Sequence, residues 1–190
     1  MNASASLPAA SKSATARLTL LLALATESIF FGTLVMAYLY LRGSTPVWAA
    51  FPHTWARLAL PLVNMAVLWA SAMAGARSLA AAKRDHATGV RMALGANLAL
   101  GLAFVAGQVV DFGSSGVRPA DSAFAGLFFT LLGFHALHVL AGLVLQGLNF
   151  ARARLGDFRR DDHAALSVGV GFWWYVVAVW VVLFVVVYLI

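Results

Sequence analysis

Apolar residues fall in five long runs, over positions 18–41, 58–82, 92–110, 124–150 and 164–190. Shorter polar stretches separate them. Each run is long enough to cross the hydrocarbon layer as a helix, which takes about 20 apolar residues, and too long for a barrel strand. A backbone in lipid must satisfy its own hydrogen bonds. The pattern therefore predicts an all-α protein, an integral membrane bundle of five transmembrane helices. Residues 1–16, rich in Ala and Ser, are predicted as a disordered tail, and residues 17–190 as a single transmembrane domain. The opening stretch lacks the short apolar core and cleavage site of a secretory signal.

Composition agrees with a lipid environment. Hydrophobic residues make up 62% of the 190 and charged residues 11%, against roughly 25% charged in an ordinary soluble domain. The sequence contains no cysteine, which excludes disulfides, thiolate metal sites, iron–sulfur clusters and a cysteine nucleophile. The net charge of +6 does not point to nucleic acid, because the bases lie in short loops beside apolar spans. There they act as a topology signal. Lys12, Arg17, Lys83, Arg84, Arg91, Arg152, Arg154, Arg159 and Arg160 share one side; Arg42, Arg57 and Arg118 lie on the other. The positive-inside rule then puts the N-terminus in the cytoplasm and the C-terminus outside. Arg77, within the second span, is expected to snorkel to the cytoplasmic side. Tyr38, Tyr40, Trp48, Trp55 and Tyr188 fall near the outer surface, as an interfacial aromatic belt does.

Small residues recur four apart: Gly95, Ala99, Ala103 and Gly107 in the third span, and Ala66, Ala70 and Ala74 in the second. Such ladders allow close helix approach; a pore lined by small residues is the alternative. The spans lack the mid-span breaks and internal repeat that mark many transporters.

Ionisable groups within the spans are costly and are candidates for function. Glu27 lies about ten residues into the first span, near mid-bilayer. It is either a neutral acid hydrogen-bonding across helices or a proton-handling group. Gln108 and Asp111 share a helix face near the outer end of the third span and suit a polar cap with interhelical hydrogen bonds. His135 and His138 also share a face. Two imidazoles at this spacing suit a metal, but a site takes three or four ligands, and a di-iron bundle takes several Glu where this chain has one. Haem ligation is a further alternative. Hydrogen bonding across helices or to lipid is the expectation. The basic loop at 151–163 suits anionic headgroups.

Several segments together resemble one family. Thr26-Glu27-Ser28-Ile29-Phe30-Phe31 with Ala37-Tyr38 resembles the Ser-Glu-x-x-Phe-Phe…Ala-Tyr segment of haem-copper oxidase subunit III. Leu60-Pro61-Leu62-Val63-Asn64 with Ala70-Ser71 resembles its Leu-Pro-x-x-Asn-Thr…Ser-Ser segment. Gln108 to Asp111 resembles its Gln-x-x-Glu, with Asp in place of Glu. Gly133-Phe134-His135-Ala136-Leu137-His138-Val139 with Gly142 resembles its Gly-Phe-His-Gly-x-His-Val…Gly segment, and Trp173 to Trp180 its Tyr-Trp-His-Phe-Val-Asp-x-x-Trp signature. Their order across five spans carries the resemblance, which matches the five-helix bacterial forms. Trp174 and Val177 stand where the family has His and Asp, so no role of that pair carries over.

The resemblance implies a non-catalytic subunit of a respiratory oxidase in a bacterial inner membrane. It implies no cofactor on this chain, haem and copper in partner subunits, and bound phospholipid. The implied partners are oxidase subunit I, in direct contact, and subunit II and other subunits of the complex. The chain would support oxygen reduction and proton uptake, with lipid, interface or proton-linked roles at Glu27, Gln108, Asp111, His135 and His138. A quinol oxidase subunit III and the subunit III-like partner of a nitric oxide reductase are the neighbouring alternatives; a small transporter is a more distant one.

Overall fold

A computed structural model of the protein describes residues 9–46, 48, 54–158 and 162–190. The elements are all helical: α1 (Ala9–Ser44), α2 (Trp55–Ala82), α3 (Ala87–Ser114), α4 (Ala123–Leu155) and α5 (Ala164–Phe184). A π-helical turn, Val185–Leu189, continues α5. All five are long and apolar enough to cross a membrane.

The helices α1 to α4 outrun their apolar runs, because a hydrogen-bond ladder need not stop where hydrocarbon does. The helix α1 begins at Ala9, so positions 9–16, assigned from composition to a tail, continue the first span's helix. Residues 1–8 lie outside the described residues. Local chemistry sets the ends. The side chain of Ser122 caps α4 by accepting from the Ala125 amide at 3.1 Å. Gly156, at φ 82°, closes α4 in a Schellman turn, with Gly156 N donating to Ala153 O and Asp157 N to Arg152 O. Between α2 and α3, Asp85 takes a left-handed conformation (φ 54°) that Asp tolerates better than most residues.

The pair α2–α3 packs most extensively, α4 lies against α3, and α5 lies against α1, α2 and α4. Burial ranks the helices. In the most apolar stretch of α5, 56% of residues are buried within the chain, against 6% in α1. The helix α5 is thus central, and α1 is peripheral, leaning on α5 and more lightly on α4.

The main core joins Leu68, Phe104, Phe128, Leu132, Trp173 and Trp180. A smaller cluster, including Leu94, Ala153 and Leu166, sits at the end that carries the α2–α3 turn. At the centre of the bundle the Trp173 indole fills space left by two glycines. A Cβ on Gly101 of α3 would lie 3.0 Å from the indole, and one on Gly142 of α4 would lie 2.8 Å from it.

Two packing expectations are corrected. In the ladders, Ala66, Ala70, Ala99 and Ala103 are exposed, whereas Ala74 is buried and a Cβ on Gly107 would clash with the Asn64 side chain of α2; α3 makes a further close approach at Gly101, outside the ladder. A four-residue step advances about 400° around a helix of 3.6 residues per turn, so a long ladder drifts off any one neighbour. The belt divides as well. Tyr40 and Trp55 are exposed, but Tyr38 and Tyr188 are buried in the core. Trp48 is half-buried, its ring edge-on to those of Tyr38 (5.3 Å) and Phe124 (5.8 Å). It wedges between α1 and α4.

Candidate functional site: polar ties between helices

Glu27 sits on α1 between two hydroxyls that satisfy themselves. Thr26 Oγ1 donates to Leu22 O at 3.0 Å and Ser28 Oγ to Leu24 O at 2.7 Å. The carboxyl group instead reaches α4, where Glu27 Oε2 lies 2.7 Å from His138 Nε2. The other imidazole nitrogen, Nδ1, is 2.7 Å from the Phe134 carbonyl. A carbonyl only accepts, so Nδ1 carries a hydrogen. One further proton then lies between Nε2 and Oε2. Either the carboxylic acid donates to a neutral imidazole, or the imidazolium donates to a carboxylate. Both arrangements are neutral overall, which removes most of the cost of placing ionisable groups in lipid. Phe31 meets the His138 ring edge-on at 4.9 Å, and Phe30 stacks on it at 6.2 Å.

His135, one turn earlier on α4, is fully buried and serves different neighbours. Its ring stacks on Trp180 at 5.3 Å and meets the Phe104 edge at 6.0 Å. Both imidazoles meet the Phe31 ring of α1, His135 at 6.4 Å, but only His138 bonds to that helix, while His135 packs further in against α3 and α5. No group of three or more His, Cys, Asp or Glu suited to a metal ion occurs among the described residues.

At the other end of α3, Asp111 accepts a hydrogen bond from the Tyr188 hydroxyl. Gln108 is buried one turn before it. The π-turn carries Tyr188 inward, where its ring also packs on Phe184 (5.7 Å) and Phe128 (6.2 Å). The predicted polar face at Gln108 and Asp111 therefore includes an interhelical bond, to a tyrosine that the sequence placed at the interface.

A third tie escaped sequence reasoning. The Ser71 hydroxyl on α2 donates to Asn97 O on α3 at 2.8 Å. It accepts from Asn97 Nδ2 at 3.0 Å and from Trp173 Nε1 at 3.2 Å. Asn97 Nδ2 also donates to Ser71 O at 2.8 Å. Gln146 and Asn149 form a further buried pair on α4, with Asn149 Nδ2 donating to Gln146 Oε1 at 3.2 Å. The available signal was an amide side chain inside an apolar run, which needs a partner there.

The two departures from the motif are absorbed as apolar contacts. Trp174 packs edge-on to Trp69 at 5.5 Å, between α5 and α2, and Val177 is buried in the core.

The family described as Cytochrome c oxidase subunit III matches over residues 9–190. The chain is 32% identical over 171 residues to cytochrome c oxidase subunit 3 of Thermostichus vulcanus, covering 90% of this chain and 85% of that protein. It is 34% identical over 167 residues to the Synechocystis sp. protein of the same name, covering 87% and 72%. The similarity to the probable cytochrome c oxidase subunit 3 of Nocardia farcinica is 30% over 169 residues, covering 87% and 83%.

Proposed function

The chain belongs to the cytochrome c oxidase subunit III family, and from that premise we propose that it is a scaffold subunit without redox chemistry of its own. It is a multi-pass membrane protein and a subunit III of a haem-copper oxidase. In our reading it packs directly on subunit I, alongside subunit II, in a bacterial inner membrane. It holds structural phospholipid and supports sustained oxygen reduction and proton uptake at haem and copper centres in the partner subunits. Electrons come from cytochrome c, as the names of the relatives indicate for those proteins.

One observation carries the proposal. The residues matching the family's motifs serve as ties between helices: Glu27 to His138, Asp111 to Tyr188, and Ser71 to Trp173. Glu27, Gln108, Asp111, His135 and His138 accordingly act in our reading through the shape of the bundle and, at Glu27, through a shared proton. Affinity purification of the tagged chain in mild detergent, with a reduced-minus-oxidised haem spectrum and mass spectrometry, tests this. The expected result is co-purification of a haem-copper subunit I with oxygen-consuming activity. Recovery with a nitric oxide reductase, or alone and free of haem under several mild conditions, would overturn it.

A further inference from the structure

Asn97 on α3 and Gln146 on α4 are fully buried. Each carries one polar atom without a hydrogen-bond partner, Oδ1 on Asn97 and Nε2 on Gln146. The first is an acceptor and the second a donor. Buried polar atoms are almost always paired, with protein or with ordered water. The bonds these amides do make fix which way they face. Asn97 Nδ2 donates to Ser71 O at 2.8 Å, and a carbonyl only accepts, so this amide cannot be turned over. Gln146 Oε1 accepts from Asn149 Nδ2 at 3.2 Å. Both amides flank Gly75 of α2. A Cβ there would lie 3.6 Å from Gln146 Nε2, 3.4 Å from Asn97 Nδ2 and 3.8 Å from Asn97 Cγ. Those are ordinary contacts, so the surrounding protein does not itself demand glycine, in contrast to Gly101 and Gly142. Glycine inside a helix is nonetheless destabilising relative to alanine. What a methyl group at this position would do is stand between the two amides and close them to any small polar molecule.

We infer that one water molecule is built into the bundle beside Gly75, accepting from Gln146 Nε2 and donating to Asn97 Oδ1. Buried waters take roughly two to four polar partners, and a donor facing an acceptor supplies the minimum. Reversing the Gln146 and Asn149 amides together would present Oε1 to Asn97 Oδ1, and the same water would then donate one hydrogen to each. Its role is that of a joint. Ser71, Asn97 and Trp173 already link α2, α3 and α5. The bond between Gln146 and Asn149 stays within α4. The water connects the two groups, so that all four helices of the packed unit share one hydrogen-bond network. The inference uses residues of this chain alone and does not depend on the subunit assignment.

The test is a cryo-electron microscopy map, sharp enough to show ordered water, of the chain in the assembly with which it purifies. Wild type and Gly75→Ala are compared. Wild type should show a density peak within hydrogen-bond distance of both Gln146 Nε2 and Asn97 Oδ1. The added methyl group of Gly75→Ala meets protein only at ordinary contact distances. This variant should lose the peak while its partner chains stay as in wild type. A wild-type map in which Gln146 bonds directly to Asn97 would overturn the inference, and so would one with no peak between them. A peak that persists in Gly75→Ala would overturn the seat beside Gly75. If Gly75→Ala fails to assemble, Gln146→Leu takes its place, since it removes the donor at similar size and should also lose the peak.

Discussion

At the scale of single residues, Glu27 and His138 form the feature with the clearest consequences. They lie 111 residues apart in sequence and meet at 2.7 Å. Removing the carboxyl group strands His138 Nε2 in an apolar setting. Interhelical hydrogen bonds in membranes average about 0.6 kcal/mol and reach about 1.7. Glu27→Ala should therefore lower the stability of the purified protein by about 1 kcal/mol in a denaturant titration. Glu27→Gln should cost less, because its amide still donates to Nε2. No loss in Glu27→Ala would show that the bond contributes nothing. Tyr188→Phe deletes the donor to Asp111 and should cost a similar amount by the same titration.

The identity of Glu27 as an exceptional residue was legible in the sequence, since a lone carboxyl group in an apolar run stands out. Its partner was not. His138 was visible as a polar residue, but spacing tied it to His135, and only the packing of α1 on α4 shows that His138 alone of the two bonds to α1. Asn97 was passed over because an amide carries no charge to draw notice, although its two-way bonding with Ser71 ties α2 to α3.

At the scale of elements, apolar run length was enough to count and place five helices. It did not fix their ends, which depend on caps such as Ser122 and Gly156. Nor did it identify the faces in contact, because small residues on a lipid-facing side look like those on a packed one. The glycines of α4 make the distinction measurable. Gly142 is pressed against the Trp173 ring, whereas a Cβ on Gly147 meets nothing within 4 Å. Gly142→Ala should destabilise by about 1–3 kcal/mol through overpacking and perturb the fluorescence of Trp173. Gly147→Ala should be neutral, or stabilising by up to about 1 kcal/mol from helix propensity. The same response at both positions would contradict the packing of Trp173 into α4.

At the scale of the whole molecule, four helices form a packed unit and α1 lies against it. The orientation inferred from Lys and Arg is open to direct measurement because the chain has no cysteine. A single cysteine at Arg84 should react with a membrane-impermeant maleimide only from the cytoplasmic side, and one at Arg118 only from outside. The reverse pattern in sealed vesicles would invert the topology. The charge bias that predicts this is a property of the loops, which is why it was readable in the sequence before any packing was known.

The bond between Glu27 and His138 links α1 to α4 sideways, and two helices that cross a bilayer together place such a link largely within the plane of the membrane. A unit charge carried across the full thickness gains about 2.3 kcal/mol per 100 mV. Transfer of the shared proton between oxygen and nitrogen advances charge hardly at all along that direction. The membrane potential of a respiring cell therefore has almost no leverage on which partner holds the proton. The surroundings that bear on the pair are local, the Phe30 and Phe31 rings that pack on His138.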